Sequence, residues 1–518
     1  MIPAIARMLE QPFATMPDMI HAVALARPRH AALVQGESTV DFAALDALIE
    51  RVAASLQRDG CRPQDVIAIC AASSIEYAAV FLGALRAGVA VAPLAPSSTA
   101  QSLRGMLDNA EARLFFVDAP VREAMGAHVP AELRCIALDG SAAGMRLDDW
   151  MAPAGAAAQP VQVQPEWAFN LIYSSGTTGV PKGIVQSCRM RWRYAQRAAQ
   201  GGYDEDAVTL TSTPLYSNTT LVSFFPTLAL GGTVVLMPKF DAGEYLALAQ
   251  KHRVTHSMLV PVQYQRIMAR PDFDAYDLSS FKFKYSTSSP FSAALKADVL
   301  KRWPGGLIEY YGMTEGGGTC VLLAHEHPDK LHTVGQPAPG HDIRLIDESG
   351  AEVPAGQPGE VVGHSESMMN GYHRQPEKTA EAEWYDASGR RFIRTGDVGR
   401  FDEDGFLVLM DRKKDMIISG GFNVYPSDLE AALAAHPAVA EAAVVGVPSA
   451  QWGETPVAFV VVRDGAQATA SALLAWANER LGKTQRLSDL RLVAELPRSA
   501  IGKVLKRELR EAYGRAAA

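Results

Sequence analysis

Between Phe42 and Val117 the chain alternates segments of helical period with short, wholly apolar runs, and this alternation restricts the possible folds more than any other feature. Leu45, Leu48, Ile49, Val52 and Leu56 recur at the spacing of one helix face. Val66–Cys70 and Val89–Leu94 are apolar throughout and carry β-branched residues, which predicts strands buried on both faces. Such strands need helices packed above and below them, so a layered α/β domain is expected. The longest apolar stretch, Ala78–Leu94, is broken by Arg86 and Gly88. It reads as a core helix running into a strand, too interrupted to span a membrane.

A chain of 518 residues exceeds what one hydrophobic core serves, so at least two domains are expected. Ala152–Pro160 is rich in Ala, Gly and Pro and reads as a surface linker within the first domain. A Gly-rich, strand-like region fills Val334–Met410, and the charged run Asp411–Asp415 follows it. Beyond that, Ser427 and Glu430 have capping-box spacing ahead of Leu429, Ala432 and Leu433. Val439–Val447 and Val457–Val462 predict strands, and Ala470–Leu481 predicts a helix stopped at Gly482. The expected division is 1–411 and a small α+β domain at 412–518.

Formal net charge is −8, which does not favour nucleic acid or an anionic membrane surface as a partner. The five cysteines are widely spaced, odd in number and outside any CxxC pattern, so neither a disulfide framework nor a zinc site is expected. A reducing cytoplasm is the simplest setting. The first twenty residues lack the basic start and apolar core of a secretion signal.

The sharpest local signal is Tyr173-Ser-Ser-Gly-Thr-Thr-Gly-Val-Pro-Lys-Gly183, directly after the apolar run Ala168–Tyr173. Short hydroxyl donors and glycines let a loop approach a polyphosphate closely, and Lys182 supplies a positive charge. A polar surface turn has similar composition, but a strand leading into a donor-rich loop with a lysine favours a phosphate cradle. The loop is not of the Gly-Lys-Ser/Thr type, in which the hydroxyl holds magnesium, because Gly183 follows Lys182. Any metal must be held from elsewhere.

This loop resembles the phosphate-binding signature of the adenylate-forming superfamily, which includes acyl-CoA synthetases, peptide-synthetase adenylation domains and beetle luciferases. Further matching motifs follow in order: Tyr310-Tyr-Gly-Met-Thr-Glu315, Gly359-Glu360, Met369-Asn-Gly-Tyr372 with Pro376 and Thr379, Arg394-Thr-Gly-Asp397, Asp411-Arg412, Ser419-Gly-Gly421 and Pro497-Arg-Ser-x-x-Gly-Lys503. Each motif is weak alone, but the ordered set is specific and covers essentially the whole chain. The resemblance implies a large N-terminal α/β domain of several subdomains, including a distorted β-barrel portion, and a small mobile C-terminal domain. It implies a carboxylic acid–CoA ligase that uses ATP, Mg²⁺ and coenzyme A and forms AMP.

The chemistry explains why such residues recur. A carboxylate must attack the α-phosphorus of ATP, and both partners are anionic. Two unit charges ~4 Å apart repel by roughly 4 kcal/mol at an effective dielectric of ~20, about a thousandfold in rate. A cation near the α-phosphate, with metal on the phosphates, offsets this. By resemblance Ser174, Ser175, Gly176, Thr177, Thr178, Gly179 and Lys182 hold the β- and γ-phosphates. Glu309, Tyr310, Tyr311 and Gly312 belong to the nucleotide site. Thr314 bonds the α-phosphate, Glu315 binds Mg²⁺, Asp397 accepts from the ribose hydroxyls with Arg412 beside it, and Lys503 is the cation. Taken singly these residues also suit caps, turns or solvated helix faces. The resemblance further implies a hinge at Lys414, about which the small domain swings between half-reactions, and a thiol tunnel lined by Ser419, Gly420 and Gly421.

The acid site departs from the family. Relatives often carry His where this chain has Ser217 in Pro214-Leu-Tyr-Ser217, and Gly-Gly-Ala-Pro-Leu where it has Thr287-Ser-Ser-Pro-Phe291. His256 is a weak replacement for the missing histidine. Tyr216, Ser217, Thr287, Ser288, Ser289 and Tyr311 are the expected acyl-pocket residues. No carboxylate lies between Thr211 and Lys239 to pair with an ammonium, so amino acids are disfavoured. Tyr216, Phe224, Phe225, Tyr264 and Tyr311 point to an aromatic, alicyclic or medium-chain aliphatic acid. The open alternatives are an enzyme loading a carrier-protein phosphopantetheine, a luciferase-like oxygenase and a nonenzymatic nucleotide-binding sensor. Both a monomer and a homodimer are open.

Overall fold

The computed structural model describes residues 1–174, 182–419, 422–449, 451–463, 465–482, 485–499 and 502–517. The chain divides into two compact units: 1–331 with 337–342 and 364–393, and 332–336 with 343–363 and 394–518.

The first unit holds two large sheets. One runs Gly371–Tyr372, Lys182–Ser187, Ala168–Ser174, Ala90–Pro93, Val66–Cys70, Phe115–Val117, Cys135–Ala137, Met145–Arg146. Its strands from Ala168–Ser174 onward in this order are parallel, while Lys182–Ser187 and Gly371–Tyr372 are added antiparallel. The second runs Cys320–Leu323, Gly306–Tyr311, Phe283–Ser286, His256–Leu259, Val208–Thr211, Thr233–Leu236, Ala31–Gln35, Ser38–Asp41. Only its two outer pairings here are antiparallel.

The apolar runs behave as read. Val66–Cys70 and Ala90–Pro93 are buried at every residue, and the helical pattern falls in Phe42–Arg58, whose buried face includes Leu45, Ile49, Val52 and Leu56. Helix Ile75–Arg86 packs so closely on Phe42–Arg58 that a Cβ at Gly83 would sit 2.5 Å from Val52. Residues 152–160 are irregular and tied to the helix Phe42–Arg58 by Ala158 N to Glu50 and Gln159 N to Gln57.

In parallel sheets, ligands gather beyond the carboxyl ends of the strands. There Ala168–Ser174 leads to the Ser/Thr/Gly loop, Val208–Thr211 to Tyr216 and Ser217, Phe283–Ser286 to Thr287–Ser289, and Gly306–Tyr311 to Gly312–Glu315.

The second unit contains strand Leu407–Arg412, paired antiparallel with the latter part of Arg391–Phe401. Its remaining sheet runs Phe422–Val424, Ile417–Ser419, Gly453–Val462, Val439–Ser449, with Asp489–Leu492 parallel to Gly453–Val462. Helices Pro426–Ala434 and Ala470–Arg480 cover one apolar cluster, and Leu509 of Lys506–Ala517 joins another. Among the described residues no sheet closes into a barrel, so the expected barrel portion is an open sheet arrangement. The capping box is also corrected. Helix Pro426–Ala434 starts on a proline with Tyr425, which has no capping oxygen, at the N-cap, and the Ser427 N–H donates to Asp411 Oδ2 at 2.9 Å. Ser427 Oγ donates instead to the Met410 carbonyl, and Glu430 accepts from Val444 N at 2.8 Å and pairs with Lys506 at 2.9 Å.

Candidate active site

Glu315 lies where three matched segments meet. Its Oε1 accepts from the Tyr372 hydroxyl at 2.9 Å, and its carbonyl accepts from Met369 N at 2.8 Å. Lys182 Nζ stands 5.1 Å from the centre of the Tyr372 ring. Burial and the adjacent Glu315 push the Tyr372 phenol well above its ordinary range, so it remains a donor. The next carbonyl, Gly316 O, accepts from Ser365 Oγ at 2.9 Å. The Thr314 carbonyl accepts from Gln186 Nε2 at 2.8 Å.

The strand leading into this turn is fixed from below. Glu309 forms a buried ion pair with Lys296, which also donates to the Leu331 carbonyl at 2.8 Å. Burial drives the Glu309 carboxyl up to about 7, opposed by Lys296. Tyr310 stacks on Tyr285 with centroids 5.9 Å apart. At Gly312 a Cβ would stand 3.3 Å from Gly318 O, so the turn is close-packed. Tyr311 is half-buried at the end of the strand. Ser174 ends its strand, whereas Ser175, Gly176, Thr177, Thr178 and Gly179 lie outside the described residues.

The acid-site segments meet through hydroxyls. Ser217 caps helix Asn218–Ala229, accepting from Thr219 N at 3.3 Å, and the Thr219 and Ser288 hydroxyls are 2.7 Å apart. Ser288 has φ +79°, a left-handed conformation that glycine adopts most easily. Such strain costs on the order of 1–3 kcal/mol. Thr287 and Ser289 flank it, and Ser289 Oγ is a buried hydroxyl without a partner among the described residues. Tyr216 is half-buried, and burial raises its phenol. His256 does not join this group. It is buried in its strand, with Nδ1 2.7 Å from the Thr255 hydroxyl and its ring 4.2 Å from Tyr203, and burial pushes it down to about 4. Burial raises the Cys188 thiol to about 12.

In the second unit Asp397 and Arg412 sit opposite each other on paired strands, with Arg412 Nε 3.2 Å from Asp397 Oδ1. Lys414 is exposed near them, and partial desolvation of its amine, then Arg412, lower its pKa. Lys503 occupies a tight turn. Its carbonyl accepts from Ser499 N at 2.8 Å, its own N donates to Ser499 Oγ at 3.2 Å, and Gly502 takes φ +77°. Arg498 braces the turn by donating to Gly502 O and Glu441, both at 2.7 Å. Ser419 pairs with Gly453, while Gly420 and Gly421 lie outside the described residues.

Sequence reasoning missed the bonds that Gln186 and Tyr372 make to Thr314 and Glu315. Tyr372 stood inside a quoted motif. Gln186 had one available signal, a long amide following Ile184 and Val185 in a buried strand.

Two family models match the chain: AMP-binding enzyme over residues 20–373, and AMP-binding enzyme C-terminal domain over 428–503. It is similar to a feruloyl-CoA synthase of Amycolatopsis sp, 32% identical over 501 residues that cover 94% of this chain and 96% of that one. A fatty acid–[acyl-carrier-protein] ligase of Streptomyces coeruleorubidus is 32% identical, covering 93% of each chain. Among solved structures, ATP-bound MatB from Rhodopseudomonas palustris superposes with a TM-score of 0.88 at 29% identity, over 98% of this chain and all of that one. No described helix is long and apolar enough to cross a membrane.

Proposed function

The chain belongs to the AMP-binding enzyme family, and from that premise we propose that it is an AMP-forming carboxylic acid–CoA ligase acting on an aromatic, alicyclic or medium-chain aliphatic acid. The observation that carries the reading is the fixed Thr314–Glu315 turn, held by Gln186, Met369 and Tyr372. A turn fixed from three sides keeps its donors and its carboxylate in place while charge develops on a phosphate.

In the proposed mechanism the acid carboxylate attacks the α-phosphorus of ATP, and pyrophosphate leaves. Lys182 and the Ser174–Gly179 loop bind the β- and γ-phosphates, and Glu309, Tyr310, Tyr311 and Gly312 flank the nucleotide. Thr314 bonds the α-phosphate, Asp397 with Arg412 orients the ribose, and Lys503 offsets the repulsion between carboxylate and phosphate. Magnesium fits the donor set at Glu315: one oxygen is held by Tyr372 and the other has no partner among the described residues. A single carboxylate with phosphate oxygens and water is an ordinary magnesium environment. When bound there, the ion neutralises phosphate charge. The CoA thiol then attacks the acyl carbonyl and AMP leaves, with Lys414 as hinge of a mobile part at 412–518 and Ser419, Gly420 and Gly421 along the thiol path.

Tyr216, Ser217, Thr287, Ser288, Ser289 and Tyr311 line the acid site in this reading. The paired Thr219 and Ser288 hydroxyls, with the Ser217 hydroxyl on the Thr219 N–H, make it partly polar. The relative named a feruloyl-CoA synthase favours the aromatic option. The relative named an acyl-carrier-protein ligase keeps a second reading, loading of a carrier phosphopantetheine. Purified protein given ATP, Mg²⁺, CoA and a broad panel of acids should release pyrophosphate and form a thioester. Silence with every acid would sink the ligase reading, and faster turnover on a carrier protein than on CoA would select the second.

A further inference from the structure

Arg191, on helix Cys188–Gln200, is 2% exposed and makes no ion pair among the described residues. Its guanidinium lies 5.5 Å from the Phe169 ring and 5.6 Å from Tyr194. Two of its nitrogens donate to Asn170 Oδ1, at 3.0 and 3.2 Å, and one also donates to Gln186 Oε1. Asn170 and Gln186 are fully buried.

A guanidinium can only donate. It therefore fixes which way both amides point. Asn170 must turn Oδ1 toward Arg191, leaving Nδ2 to donate to Gln186 Oε1 at 3.1 Å. With Oε1 taken by Arg191 and Asn170, Gln186 must present Nε2 on its other side. There it donates to the Thr314 carbonyl at 2.8 Å and to Asn218 Oδ1 at 3.3 Å. The first contact fixes the peptide that joins Thr314 to Glu315. The second fixes the residue after Ser217, where the helix on the acid side begins. The charge of Arg191 also polarises the Gln186 amide, which strengthens the N–H that it donates.

We propose that Gln186 is a positioning residue for acyl-adenylate formation, oriented by the buried Arg191 guanidinium so that its Nε2–H holds the Thr314 carbonyl and Asn218 in one fixed relation. This rests on the reading of Thr314 as the α-phosphate contact and of Ser217 as an acid-site residue. An apolar residue would fill the same volume, and Arg191 would then keep only Asn170 as its acceptor. Retaining an unpaired buried cation together with two buried amides is costly for folding alone, and positioning accounts for that cost.

The test is Gln186→Glu, with Gln186→Met beside it. Glutamate keeps the size and gives Arg191 a carboxylate, but it has no N–H for the Thr314 carbonyl. Thermal midpoints and acid-dependent ATP–pyrophosphate exchange are measured on the full chain. Expected for Gln186→Glu is a midpoint at or above wild type, with kcat for exchange at least tenfold lower and KM for ATP within threefold. Gln186→Met should show the same kcat loss, and it carries the test if the glutamate chain does not fold. Exchange at the wild-type rate in either folded variant overturns the proposal. So does a kcat loss that follows the fall in midpoint. If wild type itself exchanges with no acid, the ligase reading fails and not this inference alone.

Discussion

Replacing Gly316 by alanine should disable adenylation while leaving most of the protein folded. Gly316 directly follows Glu315 and has φ +76°, a region costing an ordinary residue about 1–2 kcal/mol. A Cβ there would overlap the Ser367 carbonyl oxygen and stand 2.8 Å from Met190 Cε. Ser367 has little room to yield, because its hydroxyl accepts from Arg197 at 3.0 Å and its N donates to Ser365 Oγ at 3.1 Å. The loop carrying Thr314 and Glu315 must therefore move instead, on the order of 1 Å. Misplacement of that size costs about a hundredfold in rate, or roughly 2.7 kcal/mol of barrier. Gly316→Ala should thus lower acid-dependent pyrophosphate release about a hundredfold, with a fall of only a few degrees in thermal midpoint. Release within threefold of wild type would show that the position of this turn does not govern the chemistry.

Tyr372→Phe removes the one hydroxyl that, among the described residues, holds Glu315 Oε1. A hydrogen bond to a charged group is worth about 1.5–3 kcal/mol, so turnover should fall roughly ten- to a hundredfold and the magnesium requirement should rise; a magnesium titration checks both. Lys503→Ala should impair acyl-adenylate formation far more than thioester formation from preformed acyl-AMP, and equal losses measured in the two half-reactions would contradict its role as the cation. Lys414→Pro should uncouple the half-reactions, and unchanged rates in both would rule out the hinge. Burial lowers both His256 and His341 to about 4. The unfolded chain then binds more protons than the folded one between pH ~4 and ~6.5, so stability is complete above that window and is lost as pH falls through it. For His256, fully buried, the loss is at most about 3 kcal/mol by pH 4, and His256→Gln should flatten the acid side of a plot of thermal midpoint against pH.

Much of the fold was legible because its strands are buried on both faces, so burial and composition coincide. Val66–Cys70 is read to the residue, and Val439–Val447 falls within Val439–Ser449. The cap of Pro426–Ala434 was not legible, because Ser427 and Glu430 are used by residues distant in sequence, Met410, Val444 and Lys506. The same limit holds at the site. Glu315 and Thr314 stand out as a motif, but the groups that fix them come from positions 186, 369 and 372. Local pattern carries no signal for a contact set by sheet order. Ser288 is a different case: its positive φ is a backbone requirement that a serine in the sequence does not signal.

The fate of the carboxylate oxygens distinguishes attack on the α-phosphorus from every other route to a thioester. With an acid carrying ¹⁸O in both carboxylate positions, attack on the α-phosphorus followed by thiolysis leaves one labelled oxygen on AMP and one on the thioester. The account predicts one ¹⁸O per AMP released, in step with CoA consumed. Unlabelled AMP, or ADP and phosphate as the nucleotide products, would contradict it.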